Sequence, residues 1–333
     1  MTTHFSAIVV RENQDPTLAP TAAIEKLTDT DLPDGDVIID VEYSSLNYKD
    51  GMALTGQGRI LRSFPMVPGI DLSGTVASSQ SLKFKTGDPV VLTGWGVGER
   101  HWGGYTQRQR VNSEWLVRRP EGMTSLHAMA IGTAGLTAMM CVIALEDGGI
   151  NPSKGPVIVT GAAGGVGSVA IAILNNLGYT VTAVTGRAEE QNYLRSLGAT
   201  TVLDRSTFTP PGKPLQSETW AGAIDTVGST TLANVIAQTK YQGVVAACGL
   251  AGGTDLPTTV LPYILRGVRL QGIDSVMADL QTRTTVWERL RSDLPSDILD
   301  SIVEVIGMSN LIERAPDILA GQTRGRLVVD TSA

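Results

Sequence analysis

The chain has 333 residues, 42% hydrophobic and 18% charged, a balance that excludes a disordered protein and is long enough for two domains with a large core. A net charge of −7, with acids and bases interspersed, excludes a nucleic-acid footprint, so an anionic ligand needs a local basic patch. The two cysteines, Cys141 and Cys248, share no metal-ligand spacing and suit a reducing cytoplasm.

No cationic, apolar leader is read at Met1 to Val10, and no uncharged run reaches about 18 apolar residues, so a cytoplasmic protein without a membrane partner is expected. The first third is β-rich. Phe5 to Val10, Asp36 to Ser44, Pro68 to Ala77 and Pro89 to Thr93 read as strands, separated by turns such as Leu32-Pro-Asp-Gly35. Val37, Ile39 and Val41 alternate with Ile38, Asp40 and Glu42, which leaves one side wet and fits a compact, irregular barrel. From Ser125 the composition shifts. His127 to Leu145 reads as one long helix of small residues, interrupted at Gly132-Thr-Ala-Gly135, and strands and helices then alternate.

Pro156 to Ser168 opens that second region. Val157 to Thr160 form a strand buried on both faces; Gly161, Ala162, Ala163, Gly164, Gly165 and Gly167 follow, then the helical run Val169 to Leu174. Strand, glycine turn and helix open a dinucleotide-binding unit, in which bare backbone approaches a pyrophosphate at a helix N-terminus. The match to G-x-G-x-x-G puts Ala162 at the first glycine position and Gly164 and Gly167 at the others. Ala163, Gly164, Gly165 and Val166 are the candidate phosphate contacts. The second strand, Thr180 to Thr185, ends in Thr185-Gly186-Arg187, a hydroxyl and a guanidinium with no carboxylate. That set suits the 2′-phosphate of NADPH, because Arg bonds phosphate in a charged fork that an acid would repel. Arg205, after the third strand Thr201 to Leu203, is placed to close the same pocket. Glu189 and Glu190 read as complements of the next helix's dipole. Ala223 to Val227, Gly243 to Cys248 and Arg269 to Ile273 complete a doubly wound parallel sheet. Two helices (Gln281 to Leu290, Asp297 to Val305) and a final strand, Gly325 to Asp330, follow and return to the β-rich domain.

This organisation resembles the medium-chain dehydrogenase/reductase superfamily over essentially the whole chain. More narrowly, SSLNYKD (Ser44 to Asp50), FPMVPGIDLSGTV (Phe64 to Val76), LTGWGVGERHWGG (Leu92 to Gly104), AIDTVG (Ala223 to Gly228), ACGLAGG (Ala247 to Gly253) and LQGIDSVM (Leu270 to Met277) are similar to blocks of the NADPH-dependent acryloyl-CoA reductases. The resemblance implies an α/β chain: a GroES-like catalytic domain from residues 1–126 and 277–333 and a Rossmann NADP-binding domain at 127–276. It implies reduction of acryloyl-CoA to propanoyl-CoA and a homodimer. The superfamily's zinc-binding branch uses Cys and His-Glu ligands near Asn47-Tyr48-Lys49-Asp50 and Gly69-Ile70-Asp71, and those ligand types are missing here, so metal-free chemistry is expected.

Reduction of an unsaturated thioester delivers hydride to Cβ, drives negative charge onto the thioester oxygen and requires a proton at Cα. Tyr48 is the first candidate to donate to that oxygen, relay the proton or position the nicotinamide. Asn47 would orient substrate and Asp50 would hold Tyr48 or Lys49; the plainer alternative is that Asn47 caps a helix whose first turn carries Asp50. Thr133, within Gly132 to Gly135, would present a hydroxyl to the nicotinamide, with a close helix crossing as its alternative. Leu250, Ile264 and Ser275 match NADP-binding positions of the reductases, although the two aliphatic residues alone would pass as core. Trp95, Arg100, His101 and Trp102 would wall the substrate side, and Arg59 and Arg62 would meet the CoA phosphates. His4 and His127 carry no partner signal, and no G-x-S-x-G elbow supports a hydrolase. A quinone or enone reductase and a non-catalytic NADPH-binding protein are the other readings.

Overall fold

The computed structural model describes residues 3–15 and 17–333; Met1, Thr2 and Pro16, and with them the start of the Met1 to Val10 segment, lie outside the described residues. The chain divides into two compact units. One is Met1–Thr133, Val276–Glu288 and Ile302–Ala333; the other is Ala134–Ser275 and Arg289–Ser301.

In the first unit a seven-stranded sheet runs in the order Val303–Gly307, Arg326–Asp330, Val37–Leu46, Asp71–Ser79, Pro89–Thr93 and Val117–Arg118, and Arg108–Val111 also pairs with Val37–Leu46. The alternation in Val37–Leu46 is physical: Val37, Ile39 and Val41 are buried while Asp40 and Glu42 are exposed. These three pack with Leu72, Val76, Val90, Leu92 and Val111. A second cluster joins Ile8, Val10, Leu46, Val67, Tyr105, Leu327 and Val329 beneath the antiparallel pair His4–Arg11 and Thr21–Thr28. Thr21–Thr28 was not expected, because its side chains are mostly solvated and give no apolar period.

The expected helix Asp297 to Val305 is corrected. Only Ser296–Ser301 is helical; the β-branched run that follows makes Val303–Gly307 a strand, parallel to Arg326–Asp330. Helix Leu311–Leu319 comes between those two strands.

Ser125–Asp147 is helical over 23 residues but broken at Gly132, whose φ of 49° and ψ of −157° are not helical. It corrects the reading that no run is long and apolar enough to cross a membrane: this one is, by length and composition. Some 78% of its most apolar window is nevertheless buried in the protein, as for a core helix.

The second unit holds a parallel six-stranded sheet in the order Ala199–Asp204, Val181–Thr185, Val157–Val159, Trp220–Asp225, Thr239–Ala247, Arg269–Gly272. Numbered along the chain this is 3-2-1-4-5-6, the doubly wound order, with its switch point between Val157–Val159 and Trp220–Asp225. Ile158, Val184, Ala223, Val235, Ile236 and Val245 form its core. The fold is the α/β arrangement of a GroES-like region and a Rossmann sheet.

Candidate functional site

In the second unit, strand Val157–Val159 runs into a turn at Gly161, and helix Gly165–Asn176 begins with Gly164 as its N-cap. Two glycines are needed for definite reasons. Gly161 has φ +59°, and a Cβ on Gly167 would lie 2.5 Å from the Gly161 carbonyl oxygen and 2.7 Å from Ala162 Cα. The helix thus starts against the turn, and its first N–H groups, around Gly165 and Val166, have no acceptor within the helix. Ala162 and Ala163 are buried, whereas Gly164, Gly165 and Val166 keep accessible surface. The buried Asp225 carboxylate braces this turn from below, accepting from Thr160 Oγ1 and the Gly228 N–H, both at 2.7 Å. Burial raises its pKa and those hydrogen bonds oppose the shift. Sequence reasoning overlooked Asp225; a carboxylate at the end of an otherwise apolar strand was its signal.

Thr185, Gly186, Arg187 and Arg205 come together at the ends of neighbouring strands. Thr185 Oγ1 accepts the Arg187 N–H at 3.1 Å, and a Cβ on Gly186 would overlap the Arg205 guanidinium. Arg187 Nη2 reaches the Ala163 carbonyl at 3.4 Å, which ties this corner to the glycine turn. Glu189 and Glu190 lie in the first turn of a short 3₁₀ segment ahead of helix Gln191–Ser196, and the buried Glu190 also stands 3.5 Å from Arg187 Nη1 as an ion pair. Leu250 and Ile264 are 62% and 72% exposed, so the plainer alternative, that they are core residues, does not hold. Ser275 is buried, and its hydroxyl accepts from Thr137 Oγ1 at 2.7 Å.

The first unit contributes a different kind of site. Asn47 caps helix Tyr48–Thr55, and its N–H donates to Asp50 Oδ2 at 3.0 Å. Asp50 Oδ1 accepts the Ile70 N–H at 3.0 Å. Asp50 therefore does not hold Tyr48 or Lys49 as expected: its carboxylate turns inward, and Lys49 pairs with Glu99 at 2.7 Å. Asn47 Nδ2 lies 3.0 Å from Asp71 Oδ2, and Asp71 also accepts from Ser45 Oγ (2.6 Å), the Thr133 N–H (2.9 Å) and Thr133 Oγ1 (2.5 Å). Thr133 thus spends its proton on Asp71, which corrects the reading that it offers that donor outward.

Arg326, from the strand Arg326–Asp330, completes the cluster. Its Nη1 donates to Asn47 Oδ1 at 3.2 Å and its Nε to the Ala130 carbonyl at 2.8 Å. Asp50, Asp71 and Arg326 are all buried. Burial, and then the Asp71 charge, push Asp50 up to about 7, against its hydrogen bonds from Asn47 and Ile70. Burial lowers the Arg326 pKa while Asp71 and Asp50 oppose the shift, and a guanidinium stays protonated in any case. Tyr105, whose hydroxyl donates to the Ser45 carbonyl at 3.0 Å, is raised by burial and by both carboxylates. Above this buried layer Tyr48 begins its helix 45% exposed.

Arg59, Arg62 and Arg100 are exposed, with no ion-pair partner among the described residues. Trp95 lies under the Arg283 guanidinium, 5.0 Å from ring centroid to Cζ. His101 is held by the Trp102 and Asp34 carbonyls at 3.1 and 3.2 Å, and Trp102 Nε1 donates to Pro65 at 3.2 Å. Those two rings stiffen their own loop.

Two family models match the chain: "Alcohol dehydrogenase GroES-like domain" over residues 33–121 and "Zinc-binding dehydrogenase" over 165–292. The acrylyl-CoA reductase AcuI of Ruegeria pomeroyi is 53% identical over 330 residues, covering 99% of this chain and 100% of the relative. The chain belongs to the medium-chain dehydrogenase/reductase superfamily, in its acrylyl-CoA reductase family. Escherichia coli K-12 YhdH, solved with bound NADPH, matches this superfamily member with a TM-score of 0.95 at 52% identity, over 98% of this chain and 99% of that one. Bacillus subtilis YhfP, a putative quinone oxidoreductase solved with NAD bound, matches with the same TM-score at 41% identity and the same coverage.

The name of the second family model raises a zinc ion, which the residues do not fit. Where zinc-dependent members would place ligands, this chain has the Asn47 amide, two carboxylates and a guanidinium, without thiolate or imidazole. Among the described residues no group of three His, Cys, Asp or Glu is placed to hold an ion. A dinucleotide does fit the second unit: Gly164, Gly165 and Val166 keep accessible main chain at a helix N-terminus, which suits a pyrophosphate, and two arginines stand at the adjoining strand end.

Proposed function

We propose that this enzyme reduces the carbon–carbon double bond of acryloyl-CoA to give propanoyl-CoA, with NADPH as the reductant. The observation that carries the reading is the match, along virtually the whole of both chains, to the Ruegeria pomeroyi acrylyl-CoA reductase. Ala163, Gly164, Gly165 and Val166 would hold the pyrophosphate on main chain, and Thr185, Gly186, Arg187 and Arg205 the 2′-phosphate. Leu250 and Ile264 would supply apolar surface and Ser275 a buried hydroxyl held by Thr137. When bound, the nicotinamide supplies a hydride.

The chain's own residues deal with the charge that follows. Negative charge grows on the thioester oxygen as Cβ is reduced, and a donor placed there lowers the barrier. Tyr48 is that donor: its hydroxyl belongs to a half-exposed ring, while Asn47 and Asp50 fix the helix start that carries it. Arg59, Arg62 and Arg100 are exposed cations that would meet the CoA phosphates, and Trp95, in the same unit, would wall the substrate side. The protein acts in the cytoplasm, the compartment its two cysteines suit. It pairs with a second copy along Arg269–Gly272, an edge strand flanked by the exposed Leu261 and Leu265; light scattering on the purified protein tests the dimer.

A second reading, reduction of quinones or enones, is favoured by the likeness to YhfP. NADPH oxidation followed with acryloyl-CoA, with a quinone and with no acceptor separates the two. Faster turnover of acryloyl-CoA supports the proposal, faster turnover of the quinone replaces it, and turnover of neither leaves a binding protein.

A further inference from the structure

The buried layer beneath Tyr48 contains two carboxylates and one cation, and the cation comes from a strand about 280 positions along the chain from Asn47. Leaving a charge uncompensated in such a place costs several kcal/mol, so burial on this scale demands a purpose or a partner. Arg326 does not form a simple ion pair. Its donors go to Asn47 Oδ1 and to the Ala130 and Met129 carbonyls, which end the short helical stretch before the break at Gly132. A Cβ at Gly132 would sit 2.6 Å from Asp71 Oδ2 and 2.8 Å from Arg326 Nη2, so the break exists where the two charged groups crowd the backbone. One guanidinium therefore fixes both the cap of the Tyr48 helix and the carbonyls before Thr133.

We propose that Arg326 is a positioning residue for the reaction, the built-in cation that balances one of the two charges of the Asp50–Asp71 pair and so sets where Tyr48 starts its helix and where Gly132–Thr133 bends. The proposal rests on the acryloyl-CoA reading above and adds to it a residue outside every sequence block that suggested that reading. A guanidinium suits the task because its planar fork addresses an amide oxygen and two carbonyls at once, which an ammonium cannot do in the same geometry.

The test uses the full-length protein, acryloyl-CoA and NADPH. Arg326→Lys keeps the charge and loses the fork. It should bind NADPH with an unchanged Kd by fluorescence titration and keep KM for acryloyl-CoA within about twofold, while kcat falls roughly 10- to 100-fold, as for a displaced catalytic group. Arg326→Met combined with Asp71→Asn removes one charge of each sign. It should fold, judged by circular dichroism and thermal midpoint, and show the same selective loss of kcat; this variant decides if Arg326→Lys does not fold. Wild-type kcat in either folded variant overturns the proposal. Failure of both to fold also overturns it, since Arg326 then serves the fold alone. Absence of acryloyl-CoA turnover in the wild-type protein is the separate result that defeats the underlying reading, and the proposal with it.

Discussion

The glycine turn of the second unit and the charged layer of the first represent opposite ways to build local structure. The turn between Val157–Val159 and Gly165–Asn176 works by leaving side chains out, since Gly161 and Gly167 make room for main chain to approach main chain. The layer under Tyr48 works by packing them in: Asp50, Asp71, Asn47, Thr133 and Arg326 share one buried network. Substitutions should therefore hurt the first region when they add atoms and the second when they remove them. An empty-backbone site tolerates no bulk, and a charged interior tolerates no missing partner.

The sharpest way to break that contrast is Gly167→Val. With backbone atoms 2.5 and 2.7 Å from the first added carbon, no side chain can yield, and about 1–3 kcal/mol or more of overpacking is expected, together with loss of NADPH binding in a fluorescence titration. NADPH binding that survives would mean the turn is not the cradle. Next in size is Tyr48→Phe, which removes only a hydroxyl. Turnover should drop about 10²-fold or more with NADPH affinity intact, in line with loss of a proton donor, and unaltered turnover would remove Tyr48 from the chemistry. Arg187→Ala should weaken NADPH by about 1.5–3 kcal/mol, the value of a hydrogen bond to a charged group, and leave NADH binding alone. Equal loss for both cofactors would relocate the 2′-phosphate.

A smaller effect probes the charged layer by pH. Asp50 is raised from its ordinary 3.8 to about 7, so between those values the native state holds a proton that the unfolded chain has released. Its contribution to stability is thus greatest below about pH 4 and is lost as pH rises through about 7, by at most about 1.4 kcal/mol per pH unit. Chemical denaturation of Asp50→Asn against wild type should show that this part of the pH slope has vanished; an unchanged slope would mean another group titrates. The smallest effect concerns Arg59→Ala and Arg62→Ala, exposed positions where KM for acryloyl-CoA should rise only a few-fold and more at low salt.

The second unit was legible because its strands are continuous apolar runs and its turn has a fixed order of small residues. Thr185-Gly186-Arg187 could be read for the same reason: the sequence neighbours are also the spatial neighbours. Thr21–Thr28 could not be read, since both of its faces meet water. Nor could Val303–Gly307, because an acidic start at Asp297 and an apolar tail imitate a helix with a charged first turn. Asn47 and Asp50 were visible as residues, but the direction of their side chains was not, and Arg326 had no local mark at all. The one available hint was Asp71, a charge inside the buried stretch Gly69 to Ser73, which had to have distant company.

The place of Arg326–Asp330 between Val37–Leu46 and Val303–Gly307 bears on how the protein is made. All six strands of the parallel sheet lie between residues 157 and 272, so that sheet has its whole length in hand while the ribosome is still translating. The β-rich unit begins first yet must hold an open slot, with two acidic side chains awaiting their cation, until some 280 further residues have emerged. Nascent chains halted before Arg326 should therefore protect the Gly161–Gly167 turn from protease while Asn47 and Asp71 remain open to it.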